Sequence, residues 1–282
     1  MFDQNLIRSA KFLDLSSLAE NELSRGYYEV LLRWVRFADT TFQAWDCRPD
    51  CGHFFSGSYW YANDTAHPVA VYAALAKAGP YAESLTGIKR GDLICRAITA
   101  MRYLCLTHDT GPAGCVRPKG PNPHASGKKW GGATDGFFRA IVHAVPITAL
   151  GLGAWLLWDE LDDDLKHGVS TIVTSFAARW SEEEPRNGAY YDTQSEENAC
   201  TAMGISFAAC MFPQHPDAGL WIAAAKKWLM NCCTWSEARV QSLAPVNNSS
   251  NGTWEFTSFP TVALSYTGQK TVLALLHGAI KS

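Results

Sequence analysis

Apolar residues along this chain recur at intervals of three and four, and no alternating run is long enough to build a sheet. That pattern points to helices, because side chains three and four apart share a helix face, whereas a half-buried strand needs a period of two. The stretch 190–216 shows it most sharply. Acids and amides (Asp192, Gln194, Glu196, Glu197, Asn198) crowd its entrance, an apolar run follows to Met211-Phe212, and Pro213 and Pro216 close it. A helix with a polar mouth and an apolar body is a rigid element on which chemistry can be held still.

The same periodicity predicts helices over 16–45, 67–77 and 92–107, the second stopped by Gly79-Pro80. Between the first two lies a loop rich in Gly, Pro, Cys and aromatics, 46–60. Another long Pro/Gly loop, 108–132, carries Arg117, Lys119, Lys128 and Lys129 and ends at Trp130-Gly131-Gly132; loops this long inside a domain are often functional. A fourth helix is expected over 135–159, kinked or divided at Pro146. Asp162 to Asp164 open a fifth, with Leu165, Val169, Ile172, Val173, Phe176 and Trp180 on one face. The 190–216 stretch is the sixth and a helix capped by Asp217 the seventh. After Trp235 the pattern weakens and only 271–280 regains it, so the expected organisation is a helical domain over 1–235 and an irregular extension over 236–282 packed on it. The fold class is all-α, and hairpins of this kind bury both their helices in a bundle, a solenoid or an α/α toroid.

Composition narrows the function. A net charge of −3 with no basic face argues against a nucleic-acid partner. The first twenty residues lack a basic start and apolar signal core, and no apolar run suits a membrane span, so a cytoplasmic protein with no membrane partner is expected. The nine cysteines fall mostly in apolar helical runs and read as packing residues. With no signal segment, the Asn-x-Ser/Thr sequons at Asn63, Asn247, Asn248 and Asn251 are expected to be idle. Cys47, Cys51 and His53 match no common zinc spacing, and neither a phosphate loop nor a dinucleotide fingerprint occurs, so no metal and no cofactor are expected. The eleven tryptophans suit either a stacking cleft or large helical cores. Oligomeric state has no signature in the sequence.

At Asp192-Thr193-Gln194-Ser195-Glu196-Glu197-Asn198, at Met211 to Pro216 and at Trp221, the chain resembles the helical domain of heparinase II/III-like polysaccharide lyases. Trp130-Gly131-Gly132, Arg102 to Cys105 and Ala154 to Asp159 add to the likeness, which spans roughly 25–235. It departs at Ala199, where the family carries an aromatic, and the chain is too short for the family's further helices and β-sandwich region. The resemblance implies stacked antiparallel hairpins forming an incomplete α/α toroid. It also implies lyase chemistry, in which a base removes the proton α to a uronate carboxyl and a neutralising group lowers the cost of the carbanion, leading to β-elimination. On that likeness Tyr190 or Tyr191 is the base, Asn198 the neutraliser, and Glu196 or Glu197 an acid kept protonated by burial. The plainer account of these residues is helix capping.

His143 lies four residues after Arg139 and on the same helical face, so the pair can bind an anion or share acid–base work; a lone histidine in an apolar run is more often a bonded core residue. Asp135 opens that helix as a cap or a substrate contact. The basic loop, through Lys128, can steer an acidic substrate toward a cleft rimmed by Trp130, with Asp192 and Glu196 beside it; a solvated charged loop explains the lysines equally well. The leading expectation is a lyase acting on a uronate-containing saccharide or related anionic small molecule. The alternatives are a cyclase, dehydratase or pericyclase-like enzyme of small-molecule biosynthesis, with an apolar aromatic pocket, and a non-catalytic toroid remnant that binds or scaffolds.

Overall fold

Helix α1 (Glu22–Asp39) starts where Asn21 caps it: the Asn21 side chain accepts from the Ser24 amide at 2.9 Å while the Ser24 hydroxyl accepts from the Asn21 amide at 3.2 Å. This reciprocal pair satisfies two of the orphan donors of a first turn. The computed structural model describes residues 7, 21–59, 62–77, 80–116, 127–131, 139–185 and 195–233. After α1 come β1 (Gln43–Trp45), β2 (Arg48–His53), α2 (Ala62–Lys77), the single turn α3 (Glu83–Thr86) and α4 (Arg90–Thr107). Then follow α5 (Arg139–Leu156), a 3₁₀ turn at Trp158–Glu160, α6 (Asp163–Glu182), α7 (Ser195–Met211) and α8 (Ala218–Cys233). The described chain is mostly helical, as its periodicity predicts. The proposed extension, 236–282, lies outside the described residues.

Three boundaries differ from the sequence expectation. The first helix stops at Asp39, and residues 43–53 form a two-stranded antiparallel hairpin in place of a loop, with a register shift between Ala44 and Trp45. The hairpin escapes detection because its strands are short and contain Pro49 and Gly52; a proline is tolerated there because a two-stranded sheet consists only of edges. The second helix starts at Ala62, running through Pro68. Likewise α5 stays helical through Pro146, so the proline does not divide it. It removes one internal hydrogen bond, a loss that burial of the flanking Val145 and Ile147 offsets.

The chain forms two compact units, and α5 and α6 contribute residues to both. In the unit made of 9–135 and 146–172, α2 packs on α4 and α4 on β2. Gly153 of α5 lies so close to α2 that a Cβ would stand 2.6 Å from Val69 Cγ1. Tyr103, Trp45 and Cys51 form a buried cluster between α4 and the hairpin, with Tyr103 and Trp45 edge-to-face at 5.2 Å. In the unit made of 1–8, 136–145 and 173–282, α7 packs along α8. Residues 200–211 of α7 are all buried, the mark of a core helix. Trp228 donates its indole N–H to the Trp180 carbonyl at 3.1 Å, and the two rings meet edge-to-face. His215 stacks on Trp221 at 4.3 Å, and the Asp217 carbonyl accepts the Trp221 amide as α8 begins.

The predicted apolar face of α6 is buried throughout, from Leu165 to Trp180. At its start Asp162 accepts from the Leu165 amide at 2.9 Å and pairs with Arg102. Arg102 first, then the Leu165 amide, hold the Asp162 carboxyl below its usual range. A carboxylate with a lowered folded-state pKa adds stability above its unfolded value and loses that contribution as pH falls through the folded value. Asp162→Asn should therefore flatten the acid limb of a pH–stability curve below roughly pH 4. Since Asp162 is half exposed, the effect is small; an unchanged acid limb would show that the pair adds nothing.

Candidate functional site

Among the described residues, one group of polar side chains wholly or partly withdrawn from solvent lies between β2 and α2, in the first unit described above. Strand β2 ends at His53, and Phe54 is fully buried, its ring edge-on to Phe42 and Tyr72 and its carbonyl accepting the Thr65 hydroxyl at 3.2 Å. The backbone then turns left-handed twice. Phe55 has φ 52°, unusual for a bulky residue, and Gly57 has φ 60°. Such backbone persists only where surrounding contacts over-determine it. Here the Gln43 side chain donates to the Phe55 carbonyl at 3.4 Å, and the Tyr103 hydroxyl donates to the Gly57 carbonyl.

Gly57 lies directly on the imidazole of His53, where a Cβ would stand 2.5 Å from Nδ1. His53 is 3% exposed and its Nδ1 makes no hydrogen bond. Burial lowers its pKa, with the nearby backbone of Phe54 and Phe55 opposing, so the ring stays neutral. Gly57→Ala adds both a left-handed alanine and a clash with a ring that has nowhere to go. We expect it to cost about 2–3 kcal/mol in a urea titration. A loss below about 0.5 kcal/mol would mean that loop and ring shift together at little cost.

Held by this frame, Ser56 and Ser58 bring their hydroxyls to 3.1 Å, and Ser56 lies near enough to the carboxyl of Asp64 to favour its charged form. Asp64 is half-buried in the first turn of α2, and burial raises its pKa while Ser56 opposes. Asn63, beside it, has a buried Oδ1 with no hydrogen-bond partner. One turn on, His67 is exposed, while the protein packed around it lowers the ring's affinity for a proton. Residues three and four apart share a helix face, so Asn63, Asp64 and His67 line one side of α2. A carboxyl whose proton affinity is raised and an imidazole whose proton affinity is lowered are shifted in the directions that suit the two partners of general acid–base chemistry.

Lys128 joins the same loop from the other direction. The Cys115 amide donates to the Lys128 carbonyl at 3.0 Å, and this places the Lys128 ammonium 5.7 Å from the centre of the buried Tyr59 ring. Tyr59 follows Ser58 directly, so the predicted substrate-binding lysine comes to the end of the serine loop.

Trp130, by contrast, is a core residue. It is fully buried, donates its indole N–H to the Leu104 carbonyl at 2.9 Å and meets His108 edge-to-face, so it does not rim a cleft. Tyr190, Tyr191, Asp192 and Asp135 lie outside the described residues. Arg139 and Glu196 fall in the first turns of α5 and α7, and their side chains lie outside the description. His143 and Asn198 are buried on α5 and α7, while Glu197 is partly buried with its carbonyl accepting the Thr201 hydroxyl.

Among the described residues no cluster of three or more His, Cys, Asp or Glu is placed to hold a metal ion. Burial pushes the thiols of Cys51 and Cys115 up to about 11 and that of Cys105 to about 12, which leaves them poor nucleophiles. Cys47 and Cys95 are exposed rather than packed. No described helix is long and apolar enough to cross a membrane.

The Ser56–Asp64–His67 group went unnoticed in the sequence because a helix starting at His67 leaves Asn63 and Asp64 in a loop; a start at Ala62 puts all three on one face. Asn63 stood out only as a sequon, and its buried oxygen inside a helix makes it a poor glycan acceptor. Compared with known proteins, the chain matches no family model, no curated protein and no solved structure.

Proposed function

We propose that this chain is an acid–base enzyme of the lyase type, working by proton abstraction and β-elimination on a uronate-containing or related anionic substrate, on helices arranged as an incomplete α/α toroid. The packing of the consecutive helices α7 and α8 supports the hairpin arrangement such a toroid repeats. One observation carries the chemistry: Asp64 and His67, one turn apart, have proton affinities shifted in the directions that suit an acid and a base.

In this reading neutral His67 takes the proton from the carbon α to the substrate carboxylate. That carbon's electron pair forms the new C=C bond as the β C–O bond breaks. The leaving oxygen takes the proton that Asp64 holds, and solvent then removes the proton from His67 and returns one to Asp64. Lys128 binds the anionic group of the substrate, and the Ser56 hydroxyl beside Asp64 tempers the rise in its proton affinity. The test is an ultraviolet assay for unsaturated product over a panel of uronate oligosaccharides and smaller 3-hydroxy or 3-alkoxy acids. Wild-type protein should produce the absorbance, and Asp64→Asn and His67→Gln should abolish most of it. Asn198→Ala separates this site from the 190–198 group: loss there, with Asp64→Asn unaffected, would move the chemistry to α7. A panel without any unsaturated product would sink the lyase reading.

A further inference from the structure

His53 is enclosed by the loop it supports. Gly57 lies on its ring, the Tyr103 ring stands 5.2 Å away, and Nδ1 makes no hydrogen bond. A neutral imidazole tolerates this, because one of its nitrogens is an acceptor that can stay unbonded at modest cost. An imidazolium does not. Both its nitrogens carry protons, and the Nδ1 proton would face Gly57 as an unpaired donor on a buried charge. Among the described residues no charged side chain offsets that cost. Cys51 of the same strand keeps its proton, the thiol pushed up to about 11 by burial, and burial likewise holds the Tyr103 hydroxyl above its ordinary value. Gln43, the partner of His53 across the hairpin, is neutral. Asp50 of β2, Arg102 of α4 and Asp64 of α2 exert no influence on the ring; burial first, then the backbone of Phe54 and Phe55, sets its affinity for a proton.

The bonds that close the loop join neutral groups. The carbonyls of Phe54, Phe55 and Gly57 accept from Thr65, Gln43 and Tyr103, and the Phe55 amide donates to the Thr41 hydroxyl at 3.4 Å. None of these changes strength as pH moves through the histidine range. The left-handed backbone of Phe55 favours opening, since its strain is released once the loop lets go. We infer that His53 is an acid-sensitive latch: neutral, its ring seats Gly57 and keeps residues 54–58 closed; protonated, it moves out to water and the loop that presents Ser56 opens with it. The latch governs the loop rather than the chemistry, so it does not depend on the acid–base reading. Once out in water, His53 has the ordinary histidine pKa of about 6.5. A histidine whose closed-state pKa lies below that value stabilises the closed loop fully above it, and the contribution is lost as pH falls toward the closed-state value.

The test is hydrogen exchange of the full chain at about pH 7.5 and about pH 5.5, read by mass spectrometry and corrected for the ordinary pH dependence of amide exchange. Opening of residues 54–59 should rise roughly five- to tenfold at the lower pH, while the amides of α4 stay protected. The slower exchange of each imidazole Cε1–H gives the proton affinity of each histidine separately. His53 should titrate below a histidine in a short peptide. His53→Gln cannot take up a proton and should exchange residues 54–59 at one rate across the interval. Opening of the wild-type loop that does not change with pH overturns the inference. So does a pH dependence that His53→Gln leaves intact, which would assign the effect to another group. If His53→Gln fails to fold, the imidazole exchange decides: titration at or above the peptide value overturns the latch, and titration below it, with opening over the same interval, upholds it. Neither readout needs a substrate, so failure here is separate from failure of the lyase reading.

Discussion

Asp64→Asn should lower turnover by roughly 10²- to 10⁴-fold on any substrate the protein converts, with His67→Gln having an effect of the same order. The fall should appear in kcat with little change in KM, because neither group holds the substrate in the ground state. The pH dependence identifies the two roles. The proposed mechanism requires neutral His67 with protonated Asp64, which should give a bell; the lowered histidine and the raised carboxyl both enlarge the share of that state. Without Asp64 the remaining activity should rise with pH as His67 loses its proton. Without His67 it should fall with pH as Asp64 ionises.

Stability separates this loss from unfolding. A buried carboxyl whose folded-state pKa is raised stabilises the fold fully only below its unfolded value, and that contribution is lost as pH rises through the folded value. Ionised Asp64 is therefore a burden at neutral pH, and Asp64→Asn should melt at the same or a higher temperature while losing activity. That opposition of stability and activity is the signature of a functional group. An Asp64→Asn protein with wild-type turnover would remove Asp64 from the mechanism.

Tyr103→Ala should cost about 4 kcal/mol, a large part of the roughly 5–15 kcal/mol that holds a domain folded. Tyr103 is 1% exposed, sits edge-on to Trp45 and 5.2 Å from the His53 ring, and its hydroxyl serves two backbone groups. It donates to the Gly57 carbonyl and accepts from the Val116 amide at 2.9 Å. Truncation removes the ring from the cluster and strands both backbone partners. Tyr103→Phe isolates the second effect and should cost about 1–3 kcal/mol in urea denaturation. Since the Gly57 carbonyl belongs to the loop that presents Ser56, the Phe variant should also lose turnover beyond what its stability explains. If Tyr103→Phe costs less than about 0.5 kcal/mol, the hydroxyl does not pin that loop.

The helices were legible in the sequence wherever one face is apolar and the other wet. Leu165 to Trp180 step by three and four and are buried as read, and Asp162 caps α6 as its acids suggest. The continuous apolar run of α7 announced a core helix, which it is. These features follow from local rules, because helix period, capping and total apolarity are properties of neighbours in the chain.

The site could not be read this way. Trp130 looked like the rim of a cleft, but the Leu104 carbonyl takes its indole N–H and closes it into the core. Lys128 was marked as a cation, yet only the bond from the Cys115 amide to its carbonyl places it beside Tyr59. Asp64 carries no signal of its own, because its proton affinity depends on how much water the surrounding chain removes and on Ser56. Residue types and their spacing along a helix are written in sequence, so the chain by itself determined its helical class and most of its buried faces. Desolvation and the meeting of groups distant along the chain exist only after folding, and so the tertiary structure alone decided that the proton affinity of Asp64 is raised and that Lys128 stands beside Tyr59.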